Sequence, residues 1–541
     1  MNHAKLLDCT LRDGAYLVNK TFGDNIISGI IEGLVKARID FIEIGFLQDE
    51  GFGEGKTVFR NSLDASRFIP KDKKDSMFTV LADYSRFSVE NLDECRSDSI
   101  DAVRECFFKK ERYDAIEACK VIKEKGYKLF VQPVDILGYT DIELIELLNL
   151  VNEVEPYCLS IVDTFGSMYQ EDLHRIFEIV NHNLIPTCKI GFHSHNNMQL
   201  SNALSQEFIR MSIGKREVIV DGTISGMGRG SGNTPTELIA QYMVSQLGYG
   251  YDMDAILDII DGYMDNIRSK CTWGYSAPYF VAGSYGAHVN NVQYLLKKNS
   301  IRSKDIRYIL NKIGTIPRKR YDYELLEKTY LDYLTADVDD KEGMQNLQEK
   351  FANKDILLLV PGHSVVTEMD KVKEFIKEKN PIIISVNFIS EDILPDYIYI
   401  SNVKRYNYWK DKTIFKNTKK IIASNIKQKA DTDDEVVVSF IKLVKCGWEH
   451  MDNSTIMLLR LLDMFEVSSI SIAGFDGYEL EEKDTLNYAD SDLELANVRE
   501  NPLELNQEIA SMLADYYDTR NHQVPVNFIT KSRFQKNMEK K

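Results

Sequence analysis

Eight apolar, β-favouring runs recur between Ala4 and Asp221, separated by stretches with helical spacing, and this alternation restricts the fold more than any other feature of the chain. The runs are Ala4–Asp8, Phe41–Phe46, Met77–Ala82, Ala102–Phe107, Lys128–Pro133, Cys158–Asp163, Lys189–His193 and Val218–Asp221. Apolar residues fall at helical spacing in Ser28–Lys36, Asp114–Lys125, Ile142–Val154 and Glu171–Asn181. Eight alternations closing within about 250 residues predict a (β/α)8 barrel; an open doubly wound sheet usually shows fewer repeats. Chemistry in such a barrel sits at the C-terminal ends of the strands.

Those ends are polar. They read Asp8-Cys9-Thr10, Glu43-Ile44-Gly45, Gln132-Pro133-Val134-Asp135, Asp163-Thr164-Phe165-Gly166, His193-Ser194-His195 and Asp221-Gly222-Thr223. A strand alternates its side chains with period two, so His193 and His195 share a face. Asp13, just past the first run, can complete a facial N,N,O metal site with positions open for substrate and water. Arg12 places a fixed cation beside it, where an enolate oxygen would develop. The glycine-rich loop Gly226–Asn233 after the eighth run suits a close approach of backbone, to a phosphate or within a tight turn.

The 541 residues allow about two to four domains. The barrel is expected over 1–270, a helical extension over 271–340, a polar linker over 341–353 and a second α/β domain over 354–541. In the last part, strand-like runs at Ile382–Val386, Tyr397–Ile400, Ile421–Ser424, Val436–Phe440 and Ser469–Ile472 suggest a mostly parallel, Rossmann-like sheet. Val360-Pro361-Gly362-His363-Ser364, between an apolar run and a helix, is a place to hold a phosphate.

A net charge of −17 argues against a general nucleic-acid binder. No apolar run approaches the ~20 residues that span a bilayer, and the N-terminus lacks a signal-peptide layout. Eight scattered cysteines without a Cys-x-x-Cys pair point to reduced thiols in a cytoplasm.

Thr10-Leu11-Arg12-Asp13-Gly14, Gly191-Phe192-His193-Ser194-His195-Asn196 and the loop ending at Asn233 together resemble the DRE-TIM metallolyase superfamily, over about residues 1–290. The resemblance implies a divalent metal, Mn2+ or Mg2+, held by Asp13, His193 and His195, with Asn233 as a further ligand. It also implies that Arg12 stabilises a metal-bound enolate of pyruvate type. The opening Asp8–Gly14 looks most like the 4-hydroxy-2-oxoacid aldolases, which cleave a 2-oxo acid to pyruvate and an aldehyde. In those a His, two positions after the Arg-Asp-Gly, is the base; Tyr16 stands there in this chain. A phenol with pKa near 10 is a poor base at neutral pH, so Tyr16 is expected to donate or relay a proton, with a metal-bound water or His288 as the alternative base. Condensing synthases of the superfamily carry a Glu where Arg229 stands, and hydroxymethylglutaryl-CoA lyase carries a loop Cys that is missing from Gly226–Asn233. An acyl-CoA reaction is therefore the alternative rather than the first expectation.

The C-terminal part is loosely similar to Rossmann-like sialyltransferase and pterin-pyrophosphokinase-like domains, through Gly362, Ser364, Asn387 and Gly474-Phe475-Asp476. That similarity implies a nucleotide at these residues. It leaves open a transferase whose activity lies in this part, as Tyr16 leaves open a barrel without catalysis. A homo-oligomer is expected.

Overall fold

The computed structural model describes residues 3–298, 301–334, 338–445, 447–448, 452–479, 487–490 and 501–535. Eight parallel strands close into a barrel: β1 (Ala4–Asp8), β2 (Phe41–Leu47), β4 (Met77–Asp83), β5 (Ala102–Phe107), β6 (Lys128–Pro133), β7 (Cys158–Asp163), β8 (Lys189–Ser194) and β9 (Val218–Gly222). A two-residue strand β3 (Val58–Phe59) lies beside β2. The order β1-β9-β8-β7-β6-β5-β4-β2 is sealed by pairing of β1 with β2. The expected barrel is present, with each run ending within one residue of its strand.

The helices hold the barrel from outside. Asp24–Lys36 buries Ile27, Ile30, Ile31, Leu34 and Val35, one stripe at helical spacing. Asp141–Val154 starts on a capping box, in which Thr140 accepts from Glu143 N while Glu143 accepts from Thr140 N. It buries Leu144, Leu147, Leu148, Val151 and Val154. Each such side chain contributes about 1.5–3 kcal/mol on burial, and truncating Leu148 to Ala would cost about 2–5 kcal/mol.

Inside the barrel the strands stack two unlike layers. Leu7, Cys9, Phe41, Ala102, Phe130, Cys158 and Ile219 form an apolar plug. Two residues further along β2, β5 and β9 stand Glu43, Arg104 and Asp221, which period two keeps on the same side of each strand. All three are buried. The plug therefore underlies a charged layer, and the metal-site residues lie above that.

The described chain divides into two compact units, residues 1–293 with 306–321, and residues 294–305 with 322–541. The second contains a seven-stranded parallel sheet: β10 (Asp355–Leu359), β11 (Ile382–Val386), β12 (Tyr397–Ile400), β13 (Lys419–Ala423), β14 (Glu435–Val438), β15 (Ser469–Ala473) and β16 (Val526–Phe528). The order β14-β13-β12-β11-β10-β15-β16 reverses direction between β10 and β15, where open α/β sheets form a ligand crevice. Residues 341–353, expected as a linker, hold the helix Lys341–Phe351. Its Leu347 and Phe351 are buried, and the Phe351 ring packs on Tyr397 and Phe465 at 5.1 and 6.1 Å. The polar composition that suggested a linker belongs to the outer face of an amphipathic helix. Among the described residues no helix is long and apolar enough to cross a membrane.

Candidate metal centre at the barrel mouth

The segment after β1 is anchored at several points. Asp8 Oδ1 accepts from Thr10 N (3.0 Å) and Asp8 Oδ2 from Thr236 Oγ1 (2.6 Å). Thr10 Oγ1 accepts from Ile224 N (2.7 Å), and Cys9 O accepts from Arg12 N (3.1 Å) and Asp13 N (2.8 Å). The helical turn Thr10–Asp13 is thereby fixed with all four residues buried.

Asp13 meets the two histidines there. Its Oδ2 lies 3.3 Å from His193 Nε2 and 3.7 Å from His195 Nε2, and the two imidazoles stand edge to face at 5.1 Å. Asp221 Oδ2 accepts from His193 Nδ1 (3.0 Å), which fixes that tautomer and turns the Nε2 lone pair toward Asp13. Lone pairs from Asp13 and His193 thus converge on one point, with His195 Nε2 beside it.

Charge balance favours a cation at that point. Arg12 Nε donates to Glu43 Oε2 (2.7 Å), and Arg12 Nη1 lies 3.1 Å from Asp13 Oδ1. Arg104, fully buried, sits 3.3 Å from Glu43 and donates to Asp221. Three carboxylates face two guanidiniums, leaving a net charge of −1 in a buried site. Burial pushes Asp13 toward its neutral form, but Arg12 and the imidazoles outweigh it and hold the carboxyl well below its ordinary pKa. Burial likewise opposes charge on His193, yet Asp13 and Asp221 raise its pKa, because a proton relieves the same convergence of lone pairs. His195 falls to about 3 through burial, so it stays a neutral donor.

Beside the two imidazoles, two buried acceptors lack a hydrogen-bond partner, Asp13 Oδ2 and Asn233 Oδ1; Glu43 Oε1, in the layer below, is a third. Asn233 is bridged to His195 through the backbone and spends its Nδ2 on Met227 O (3.1 Å), so its oxygen is the free end. Asp13, His193 and His195, with Asn233 adjacent, fit a divalent ion. A second group, Cys9, His193 and Asp221, also lies within reach of one ion. Its members are otherwise engaged: Asp221 holds Arg104 and His193, and the Cys9 thiol donates to Gly222 O (3.3 Å) and is kept protonated by burial.

The glycines around Asn233 serve compactness. A Cβ on Gly232 (φ 81°) would lie 2.0 Å from Gly226 O, and one on Gly228 2.3 Å from Asn233 Nδ2. Tyr16 stacks edge-on against Phe46 (5.4 Å) and beneath Arg229, whose Cζ is 3.9 Å from the ring centre. Burial raises its phenol pKa despite Arg229, so Tyr16 keeps its proton at neutral pH. His288 lines the same cavity, and its pKa falls to about 3 on burial. Its Nδ1 accepts from Asn290 N (3.1 Å), which leaves the proton on Nε2.

Arg104 escaped the sequence reading. The signal is an arginine inside the apolar run Ala102–Phe107, at a position that alternation turns inward. Glu43 and Asp221, both among the polar strand ends, are its partners.

In the second unit the turn expected to seat a phosphate is already occupied. Asp476 Oδ2 accepts from Ser364 N (2.7 Å), and Asp476 also accepts from Ser364 Oγ, which in turn contacts Thr530 Oγ1 (2.7 Å). The chain's own carboxylate takes the anion position at the four-residue helix Ser364–Thr367. Gly362 packs against it, since a Cβ there would fall 2.2 Å from Gly474 O and 2.7 Å from Asp476 Cγ. Asn387 braces neighbouring loops: its Oδ1 accepts from Ser401 N (3.2 Å) and its backbone O from Trp409 Nε1 (3.2 Å).

A closed (β/α)8 barrel with an Asp-His-His set at its strand ends has the candidate donor set of a metal-dependent lyase barrel. Residues 3–261 match the family described as HMGL-like. Over that span the barrel resembles the HMGL-like family, and the curated proteins it is similar to include 4-hydroxy-2-oxovalerate aldolases. The 4-hydroxy-2-oxovalerate aldolase of Carboxydothermus hydrogenoformans is 24% identical over 326 residues, 58% of this chain and 93% of that protein. The oxaloacetate decarboxylase of Mycobacterium tuberculosis is 24% identical over 307 residues, covering 54% and 84%. The carboxyl transferase domain of Rhizobium etli pyruvate carboxylase, solved with 3-hydroxypyruvate, aligns at 12% identity with a TM-score of 0.48, covering 61% of this chain and 60% of that one.

Proposed function

We propose that the barrel is a divalent-metal-dependent aldolase that cleaves or forms the carbon–carbon bond of a 4-hydroxy-2-oxo acid, with pyruvate on one side and an aldehyde on the other. The observation that carries this reading is the buried Asp13, His193 and His195 set with its net negative charge and two unpartnered acceptors. A metal bound there supplies Lewis acidity toward the 2-oxo acid. Arg12, braced by Glu43 and Asp13, offers a preorganised cation to an enolate oxygen. Asp221 keeps the His193 tautomer, and Tyr16 is the protonated phenol nearest Arg229. The named relatives that are 4-hydroxy-2-oxovalerate aldolases support the same chemistry. The test is metal analysis of the purified chain, followed by a pyruvate-release screen over 4-hydroxy-2-oxo acids. Full activity in metal-free protein, or no release across the panel, rejects the reading.

One observation favours decarboxylation of a 2-oxo diacid as a second reading. Aldol cleavage needs a base for the 4-hydroxyl proton. Tyr16 holds its proton, and the lone pair of His288 Nδ1 is spent on Asn290 N. Loss of CO2 leaves an enolate without any proton abstraction. Release of pyruvate from oxaloacetate but from no hydroxy-oxo acid would select it.

For the C-terminal unit we infer a nucleotide-binding role at the crevice beside β10, not on the turn at Ser364. A cavity of about 230 Å3 bordered by Asn387, Asn402, Arg405 and Tyr488 supports it. Calorimetry of the full chain with nucleoside mono-, di- and triphosphates tests it, and absence of heat at millimolar ligand rejects it.

A further inference from the structure

The barrel mouth holds more positive charge than the metal chemistry uses. Its cavity, about 660 Å3, is within the range of roughly 300–1,000 Å3 that holds drug-sized ligands. In a chain of net charge −17, seven Lys and Arg side chains border it against three Asp and Glu. Four of the seven face a carboxylate: Arg12 meets Glu43, Arg86 meets Asp83 at 3.6 Å, Lys110 meets Glu111 at 3.1 Å and Lys319 meets Asp135 at 2.7 Å.

Of the remaining three, Arg320 is exposed to solvent, whereas Lys20 and Arg229 are more enclosed. Among the described residues neither forms an ion pair. Lys20 Nζ donates only to the neutral Gln48 Oε1 (2.8 Å). The Arg229 side chain donates no hydrogen bond among the described residues, and its Nε is buried. Both approach one aromatic surface: Arg229 Cζ is 3.9 Å from the Tyr16 ring centre, and Lys20 Nζ is 5.9 Å from it and 4.6 Å from that of Phe46. The chain adopts an unfavourable backbone to put Lys20 there, since Asn19 and Lys20 both take left-handed conformations, φ 50° and 59°. Burial, with Arg86 next, lowers the Lys20 pKa to about 8. An anion would relieve all of this at once.

We propose that Lys20 and Arg229 form a subsite for a second anionic group, a phosphate or carboxylate, on the part of the substrate that leaves as the aldehyde. The substrates are then doubly anionic 4-hydroxy-2-oxo acids, a refinement that rests on the aldolase reading. The metal set and Arg12 take the 2-oxo acid end, and Lys20 and Arg229 select the other. Arginine contributes a planar fork suited to either anion, and lysine a point charge.

The test uses the metal-loaded full chain in the condensation direction, with pyruvate and two matched pairs of aldehydes. These are glyceraldehyde with glyceraldehyde 3-phosphate, and propanal with succinic semialdehyde. The wild type is expected to prefer the charged member of at least one pair, and which pair identifies phosphate or carboxylate. Lys20→Met and Arg229→Met should each reduce that preference in kcat/KM about 10- to 100-fold, the worth of one charged hydrogen bond. Arg229→Lys should retain part of it, which also controls for misfolding. A preference near unity in the wild type overturns the proposal, as does a preference unchanged in both Met variants. Loss that is equal for charged and neutral aldehydes would place the pyruvate carboxylate there and overturn it too. Calorimetric titration with inorganic phosphate supplies a readout without turnover. Binding should be seen in the wild type and lost in the Lys20→Met, Arg229→Met double variant. If none of the four aldehydes condenses, the aldolase reading fails, and the phosphate titration alone decides the subsite: binding that is absent, or that survives in the double variant, overturns it.

Discussion

Arg104→Met removes the one guanidinium buried between two strand-borne carboxylates. Arg104 and Glu43 have no exposed side-chain surface and Asp221 has 2%, so solvent does not screen the loss. Removing one partner from a buried pair costs about 3–5 kcal/mol, because the other charge is stranded. Here each acid retains a second partner, Glu43 the Arg12 guanidinium and Asp221 the hydrogen bond from His193. The expected cost is therefore near the low end, about 3 kcal/mol, out of a total that for most domains is about 5–15 kcal/mol. At about 2 °C per kcal/mol for a barrel of this size, the unfolding temperature should fall by about 6 °C. Methionine fills most of the volume, so a cavity adds little. The assay is differential scanning calorimetry of the intact chain, with far-ultraviolet circular dichroism to establish that the fold is kept. The charge of the buried set also changes from −1 to −2, so saturating Mn2+ should raise the variant's unfolding temperature more than that of the wild type. An unfolding temperature within 1 °C of wild type, or an equal response to Mn2+, would refute the reasoning that this layer is a charge-balanced support for a cation.

His193→Ala and His195→Ala should each abolish stoichiometric metal binding, measured by mass spectrometry of dialysed protein, with the fold retained, since both residues lie above the core. Arg12→Lys should lower turnover by about two to three orders of magnitude with little change in metal content, because a lysine cannot hold Glu43 and an enolate oxygen in one plane. Metal affinity should fall as the pH is lowered through the raised pKa of His193, since the proton and the ion compete for Nε2, and level off above it; Mn2+ titrations from pH 6 to 8.5 check the sign. Asp221→Asn should weaken Mn2+ binding about 10- to 100-fold by removing the charge that orients His193, measured by the same titration.

Much of the barrel and its metal residues could be read from the chain because both depend on local periodicity. Once eight strand runs are recognised, period two and the position at a strand end bring His193 and His195 to one face, and the turn after β1 brings Asp13 to them. What escaped depends on contacts between distant segments. Arg104 looks like an interruption of an apolar run until its register sets it opposite Asp221, on β9. The turn at Gly362–Ser364 has the composition of a phosphate loop, but Asp476, distant in sequence, fills it. Val526–Phe528 is only three residues long and becomes a strand because β15 offers an edge. The charge-rich residues 341–353 conceal Leu347 and Phe351, whose burial depends on rings far along the chain.

Arg12 and Asp13 are consecutive residues of one short helical turn, tied down through Asp8, Thr10 and Cys9. Thermal motion of that turn carries Arg12 and Asp13, the cation and the carboxylate of the candidate site, together as one lever. The spacing between these two charges, which the proposed reaction brings to one oxygen, is thus set by a single peptide unit instead of by the breathing of the barrel. An insertion of one residue at this point would be more damaging than the loss of either side chain, because it would put the two partners out of phase with each other.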